Sequence, residues 1–166
     1  MKYVVLCLFS FLLATFTQPV NLLSTTDDKE PSKVSHMQLG NFSVSLVVKD
    51  VSVSKAFYEK LGFVQSGGDV KRKFVIMQNA TSTIGLYQGM FEKNMLTYNP
   101  GWDRDCSTLP EFMDVREIQQ ELKKQGIKLD VAVDEASNGP AFLTITDPDG
   151  NPILIDQHVA TPTKKP

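Results

Sequence analysis

The feature that most constrains this chain is an internal repeat. Asp50-Val51 opens ten residues that carry Val53, Ala56, Phe57 and Leu61 on one helical face, and Gly62-Phe63 closes them. Sixty-four residues later Asp114-Val115 opens another ten, with Ile118 and Leu122 at helical spacing, closed by Gly126-Ile127. A leading Asp can accept from the free N–H groups of a first turn, and a trailing Gly can take the left-handed conformation that ends a helix. Asp114 with Glu117 makes a capping-box-like start. Around each helix the apolar period changes from helical to alternating. Phe42 to Val48 puts Phe42, Val44, Leu46 and Val48 on one face and Ser43, Ser45 and Val47 on the other. Strands are then expected at Val64 to Ser66, Phe74 to Gln78 and Thr83 to Gln88, and in the second half at Leu129 to Val133, Ala141 to Thr146 and Ile153 to Asp156. The last two are joined by the turn Asp147-Pro148-Asp149-Gly150. Each half reads strand, helix, three strands, which makes the fold class α+β with two βαβββ modules in one chain.

The flanks differ from this core. Lys2 precedes fourteen uncharged residues, Tyr3 to Phe16, too short to span the roughly 20-residue thickness of a bilayer core but suited to a secretory signal. Residues 1–17 are therefore read as a cleaved signal peptide, 18–38 as a polar linker, 39–159 as the domain and 160–166 as a flexible Pro/Thr/Lys tail. The expected location is secreted or periplasmic, with no stable membrane insertion after cleavage. Removing the leader takes away Cys7 and leaves Cys106 as the only thiol, so neither a disulfide framework nor a multi-cysteine zinc site can form within one chain. With 17 Lys+Arg against 19 Asp+Glu the chain lacks the basic excess that phosphate backbones select, and no nucleic-acid partner is expected. Sequons begin at Asn41 and Asn79.

The run Val47-Val48-Lys49-Asp50-Val51 leading to Ala56-Phe57-Tyr58 and Leu61-Gly62-Phe63, its half-repeat over Asp114 to Gly126, and Thr146-Asp147-Pro148-Asp149-Gly150-Asn151-Pro152-Ile153 resemble the vicinal oxygen chelate superfamily. That group includes glyoxalase I, fosfomycin-modifying enzymes, extradiol dioxygenases and bleomycin-resistance proteins. The resemblance implies a curved sheet enclosing a ligand cup. In metal-using members it also implies four ligand positions, which fall here on Ser43, near Gly85, near Ser107 on the first strand of the second half, and on Leu154. None is the His, carboxylate or thiolate that a divalent metal selects. The expectation is a cup without a metal cofactor. The alternative is a rearranged site drawn from Asp156, Cys106 and Glu111, serving a lyase or dioxygenase.

A metal-free cup would bind a small organic molecule. Ser43 and Ser45 offer hydroxyls, Tyr87 a ring with a polar tip, and Gly85 in place of a ligand side chain would leave room. The segment Leu96 to Asp103, read as a loop, carries Trp102, the only tryptophan. Ser107, Leu154 and Asp156 complete the expected lining. Both histidines, His36 and His158, lie at the ends of the domain, so a Cys106/His dyad would need a terminus folded over the mouth. Asp103 and Asp105, and the run Lys71-Arg72-Lys73, read as solvated charges. A third possibility is a protein-interaction module using an exposed sheet or the Met90-to-Cys106 segment. The duplication allows a monomer, and pairing of chains allows a homodimer.

Overall fold

The computed structural model describes residues 37–163. The expected signal peptide, and the linker up to residue 36, lie outside the described residues. The first module is β1 (Asn41–Val47), α1 (Val51–Lys60), β2 (Val64–Asp69), β3 (Phe74–Asn79) and β4 (Ser82–Tyr87). The second is β5 (Met95–Asn99), α2 (Val115–Lys124), β6 (Leu129–Val131), β7 (Ala141–Thr146) and β8 (Pro152–Gln157).

Each module begins with a strand that pairs in parallel with its own last strand, β1 with β4 and β5 with β8. The two first strands pair antiparallel, Ser43 opposite Thr97. One curved eight-stranded sheet results, in the order β2-β3-β4-β1-β5-β8-β7-β6. The repeat of the sequence thus becomes a pseudo-twofold about the β1–β5 seam.

β5 corrects the sequence reading. Leu96 to Asn99 belongs to a central strand, hydrogen-bonded on both sides, where a loop was expected. Five residues that end in Asn99 and are followed by Pro100-Gly101 carry a turn signal stronger than their strand signal, and the partners that order them lie far away in sequence.

Both helices are capped by Asp at the start and by Gly at the end. Asp50 Oδ1 accepts from the N–H groups of Ser52 (2.8 Å) and Val53 (3.1 Å), and Asp114 Oδ1 from that of Arg116 (2.9 Å). At the other end Gly62 donates to Glu59 and Phe63 to Tyr58, while Gly126 donates to Lys123 and Ile127 to Leu122. With φ of +82° and +73°, both glycines close a Schellman motif.

Each helix covers its own half-core. Val51, Val75, Met77 and Leu86 are buried under α1; Val115, Ile118, Leu122, Leu143 and Ile155 are buried under α2. The Ile118/Leu122 stripe is the inward face, as its spacing predicts. The stripe on α1 is not: Val53, Phe57 and Leu61 are more than half exposed, and Ala56 is exposed as well. The Val51 N–H donates to Gln88 Oε1 at 3.1 Å just past β4, which holds Val51 against the sheet. Val53, about 200° further round the helix, must then point outward.

The turn before β8 forms as expected. Asp147 accepts through Oδ1 from the N–H groups of Asp149 (3.0 Å) and Asn151 (2.8 Å), and Gly150 has φ +87°. The tail is tied down at its start, where Thr161 Oγ1 accepts from Gly139 N–H at 2.8 Å. Among the described residues no helix is long and apolar enough to cross a membrane.

Candidate ligand-binding site

Strand alternation decides which side chains meet on the face away from the helices. Val75 and Met77 of β3 and Leu86 of β4 pack under α1, so Phe74, Ile76, Gln78, Thr83, Gly85 and Tyr87 turn to the other side. On β8, Ile153 and Ile155 pack toward α2, which sends Leu154 and Asp156 the other way, with His158 next in the same series. Along the seam the same face carries Asn41, Ser43 and Ser45 from β1 and Thr97 and Asn99 from β5.

At the centre of this face lies a hydroxyl cluster. Ser45 and Thr97, both buried, share a hydrogen bond of 2.8 Å, and the Tyr87 hydroxyl bonds to Ser45. The Tyr87 ring folds back over Gly85, such that a Cβ at position 85 would lie 2.4 Å from Cε2 and 3.0 Å from the hydroxyl. The room that Gly85 was expected to leave is therefore taken by Tyr87. Burial pushes the Tyr87 phenol above its ordinary pKa; the Ser45 hydrogen bond opposes this and the Asp156 carboxylate adds to it. Tyr87 is a neutral phenol at physiological pH. Its ring also runs parallel to that of Phe74, opposite it on β3, with centroids 5.9 Å apart.

The loop after β5 forms the roof. Trp102 bridges to Thr108 and stacks on His158, with centroids 4.3 Å apart and planes 15° from parallel. His158 Nε2 lies 3.1 Å from Asp156 Oδ2. Asp103 Oδ1 accepts from the N–H groups of Asp105 (2.9 Å) and Ser107 (2.8 Å), and Cys106 turns the chain with φ +60°. Gln78 Nε2 of β3 donates to the Arg104 carbonyl at 2.8 Å, pinning this second-module loop across the first module's cup. Beneath it is a cavity of about 200 Å³ whose lining includes Asn41, Ser43, Phe74, Gln78, Thr83, Tyr87, Trp102 and His158.

The structure brings together Ser43, Tyr87, Trp102 and Cys106 around that cavity, with Ser45 and Gly85 beneath Tyr87. Ser107 is not on the second module's first strand. The residue of that strand beside Leu154 is Thr97. Ser107 lies in the loop instead, because Asp103 and Trp102 fold that segment onto itself. Leu154 and Asp156 stand on β8, Asp156 engaged by His158. Cys106 and His158 do share the cavity, which sequence position had argued against. Burial, and then the carboxylates of Asp103 and Asp105, push the Cys106 thiol up, so it is poorly suited to act as a thiolate nucleophile. Glu111 lines a separate groove with Phe112 and Glu117.

Sequence reasoning missed Asn41, Phe74, Gln78, Thr83, Asn99 and His158. The alternation of β3 and β4 could have found Phe74, Gln78 and Thr83, and His158 continues the series Leu154, Asp156 by twos.

The side chains at the expected ligand positions do not fit a divalent metal. Ser43, Thr97 and Leu154 supply no His, carboxylate or thiolate, and the Tyr87 ring covers Gly85. Among the described residues no three His, Cys, Asp or Glu side chains converge.

Comparison with known proteins gives a family and a fold. A family model described as Glyoxalase/Bleomycin resistance protein/Dioxygenase superfamily matches residues 34–155. A search among curated proteins matches none. Among solved structures, the NAD-dependent benzaldehyde dehydrogenase from Legionella pneumophila aligns with 71% of this chain and 99% of its own, at 17% identity and a TM-score of 0.53. A glyoxalase/bleomycin resistance protein/dioxygenase superfamily member from Vibrio splendidus 12B01 aligns over 70% and 97%, at 15% identity and a TM-score of 0.47. The Mn(II)-bound glyoxalase from Novosphingobium aromaticivorans aligns over 78% and 42%, at 15% identity and 0.46. Identities this low speak to fold alone.

Proposed function

We propose that this chain, which belongs to the glyoxalase/bleomycin resistance protein/dioxygenase superfamily by its match over residues 34–155, is an exported member that binds a small organic molecule in a metal-free cup. One observation carries the reading. The positions where the resemblance puts metal ligands hold Ser43, Gly85, Thr97 and Leu154, and beside them stands a cluster of neutral hydroxyls, Ser45, Thr97 and Tyr87, at an aromatic-lined cavity of about 200 Å³. Apolar walls with a few convergent polar groups are what small-molecule sites are made of. Export rests on the uncharged stretch Tyr3 to Phe16 behind Lys2.

The test is thermal unfolding with excess Mn²⁺, Zn²⁺ or Ni²⁺ against chelator. A ligand that binds only the folded form raises its Tm. No metal-dependent rise is expected. A saturable rise that disappears in Asp156→Asn would replace this reading with a rearranged metal site.

A second reading is favoured by α1, whose Val53, Phe57 and Leu61 stand exposed, as does Val64 at the start of β2. Exposed apolar side chains of this kind suit an interaction face. Sedimentation of the wild type and of Phe57→Ser distinguishes it: a concentration-dependent oligomer lost in the variant supports the face, and a monomer in both rejects self-association.

A further inference from the structure

The charge inventory of the cup separates ligands that a generic binding pocket would not. Among the described residues no Lys or Arg lines the cavity. The nearest carboxylate acting on Tyr87, that of Asp156, is already in contact with His158 at 3.1 Å. Arg72 lies over the Phe74 ring, 5.1 Å from its centroid, so that aromatic surface already has a cation. No side chain that lines the cavity carries a full, unengaged charge to meet an ionic ligand, and burying an ion without a counter-charge is costly.

Neutral hydrogen-bonding groups, by contrast, are in surplus. Asn41, Ser43 and Thr83 line the cavity and make no side-chain hydrogen bond among the described residues. Gln78 spends its Nε2 on the Arg104 carbonyl, and Asn99 its Nδ2 on the Asp156 carbonyl, which leaves both amide oxygens available. Amides and hydroxyls together both donate and accept, the complement of an amide, lactam or heterocycle edge. Phe74, Tyr87 and Trp102 add ring surface. The volume of about 200 Å³ is below the roughly 300–1,000 Å³ of drug-sized sites, which limits the occupant to one ring or a fused pair.

We infer that the cup selects a neutral, planar, amide- or heterocycle-bearing molecule of one or two rings and rejects carboxylates, phosphates and organic cations of the same shape. This rests on the metal-free cup reading and narrows it to a ligand class.

Benzamide, benzoate and benzamidine test it, being nearly isosteric and differing in charge. Each is titrated at up to millimolar concentration into the purified protein, with Trp102, the only tryptophan, as fluorescent reporter and calorimetry as an independent readout. The expected result is that benzamide binds at least tenfold more tightly than either ion. Thr83→Val and Ser43→Ala, which remove unspent hydroxyls without enlarging side chains, should each weaken benzamide about threefold to tenfold. Benzoate or benzamidine binding as tightly at the same hydroxyl-sensitive site would overturn the ligand class and leave the cup reading standing. Benzamide binding that ignores both substitutions would overturn the class by placing the ligand elsewhere. Silence from all three would overturn the class and the cup reading together.

Discussion

The two modules share a chain path and differ in how their helices are held. α2 is anchored by a buried polar network: Asp114 pairs with Arg116 Nη1 at 2.9 Å and accepts from Gln157 Nε2 at 3.0 Å, while Gln157 Oε1 accepts from Val115 N–H at 2.8 Å. Gln119, fully buried, exchanges two more bonds with the backbone of Val133. α1 has its Asp50 cap, the bond from Val51 to Gln88, one from Asn79 Nδ2 to the Leu61 carbonyl at 2.9 Å and a mainly apolar contact, and it turns an apolar stripe to solvent. The module that supplies the roof of the cavity is thus rigidly specified, whereas the one that supplies most of its walls is fastened less heavily. Duplicated folds can divide labour in this way because the sheet, not the helix, carries the site.

The largest effect should come from the network. Asp114→Ala leaves the buried Arg116 guanidinium without its counter-charge and should cost about 3–5 kcal/mol in denaturant unfolding. The corresponding Asp50→Ala, losing an exposed cap, should cost about 1 kcal/mol. Equal losses would dissolve the contrast between the modules.

The same contrast has a pH signature. Burial pushes the Asp114 carboxyl up, but bonds from the Arg116 N–H, Gln157 and the Arg116 guanidinium outweigh it and hold the group below its ordinary value. A depressed folded pKa gives stability that is present above the unfolded value of about 3.9 and is lost as pH falls through the folded one. Wild type should therefore lose stability below about pH 4 more steeply than Asp114→Asn, measured as unfolding midpoint against pH.

Next in size is the cup itself. Gly85→Ala drives a methyl into the Tyr87 ring and should destabilise by about 1–3 kcal/mol. Combined with Tyr87→Ala the added cost should vanish, a coupling that a double-mutant cycle reads directly. Additive losses would mean that the ring does not cover Gly85. Smallest of all, Phe57→Ser on the exposed stripe should change stability by no more than about 0.5 kcal/mol.

What was legible in the sequence was what local chemistry encodes. Asp50, Gly62, Asp114 and Gly126 announce both helices because capping involves neighbours within one turn, and the Asp147 to Gly150 turn is equally self-contained. β5 was hidden because its order comes from β1 and β8, and with it went the register that set Ser107 where Thr97 belongs. The outward stripe of α1 misled because helical spacing does not say which of two faces the sheet receives; the bond from Val51 to Gln88 decides that. Ser43, Tyr87 and Trp102, singled out from the sequence, line one cavity, but the folding of Tyr87 over Gly85 depends on a rotamer that no spacing reveals.

Native mass spectrometry of the protein purified without chelators tests the metal-free cup most directly. The account predicts the mass of the polypeptide alone, or of the polypeptide with one small organic adduct. One tightly held Zn, Ni, Mn or Fe per chain would contradict it and turn attention to Asp156, Cys106 and Glu111.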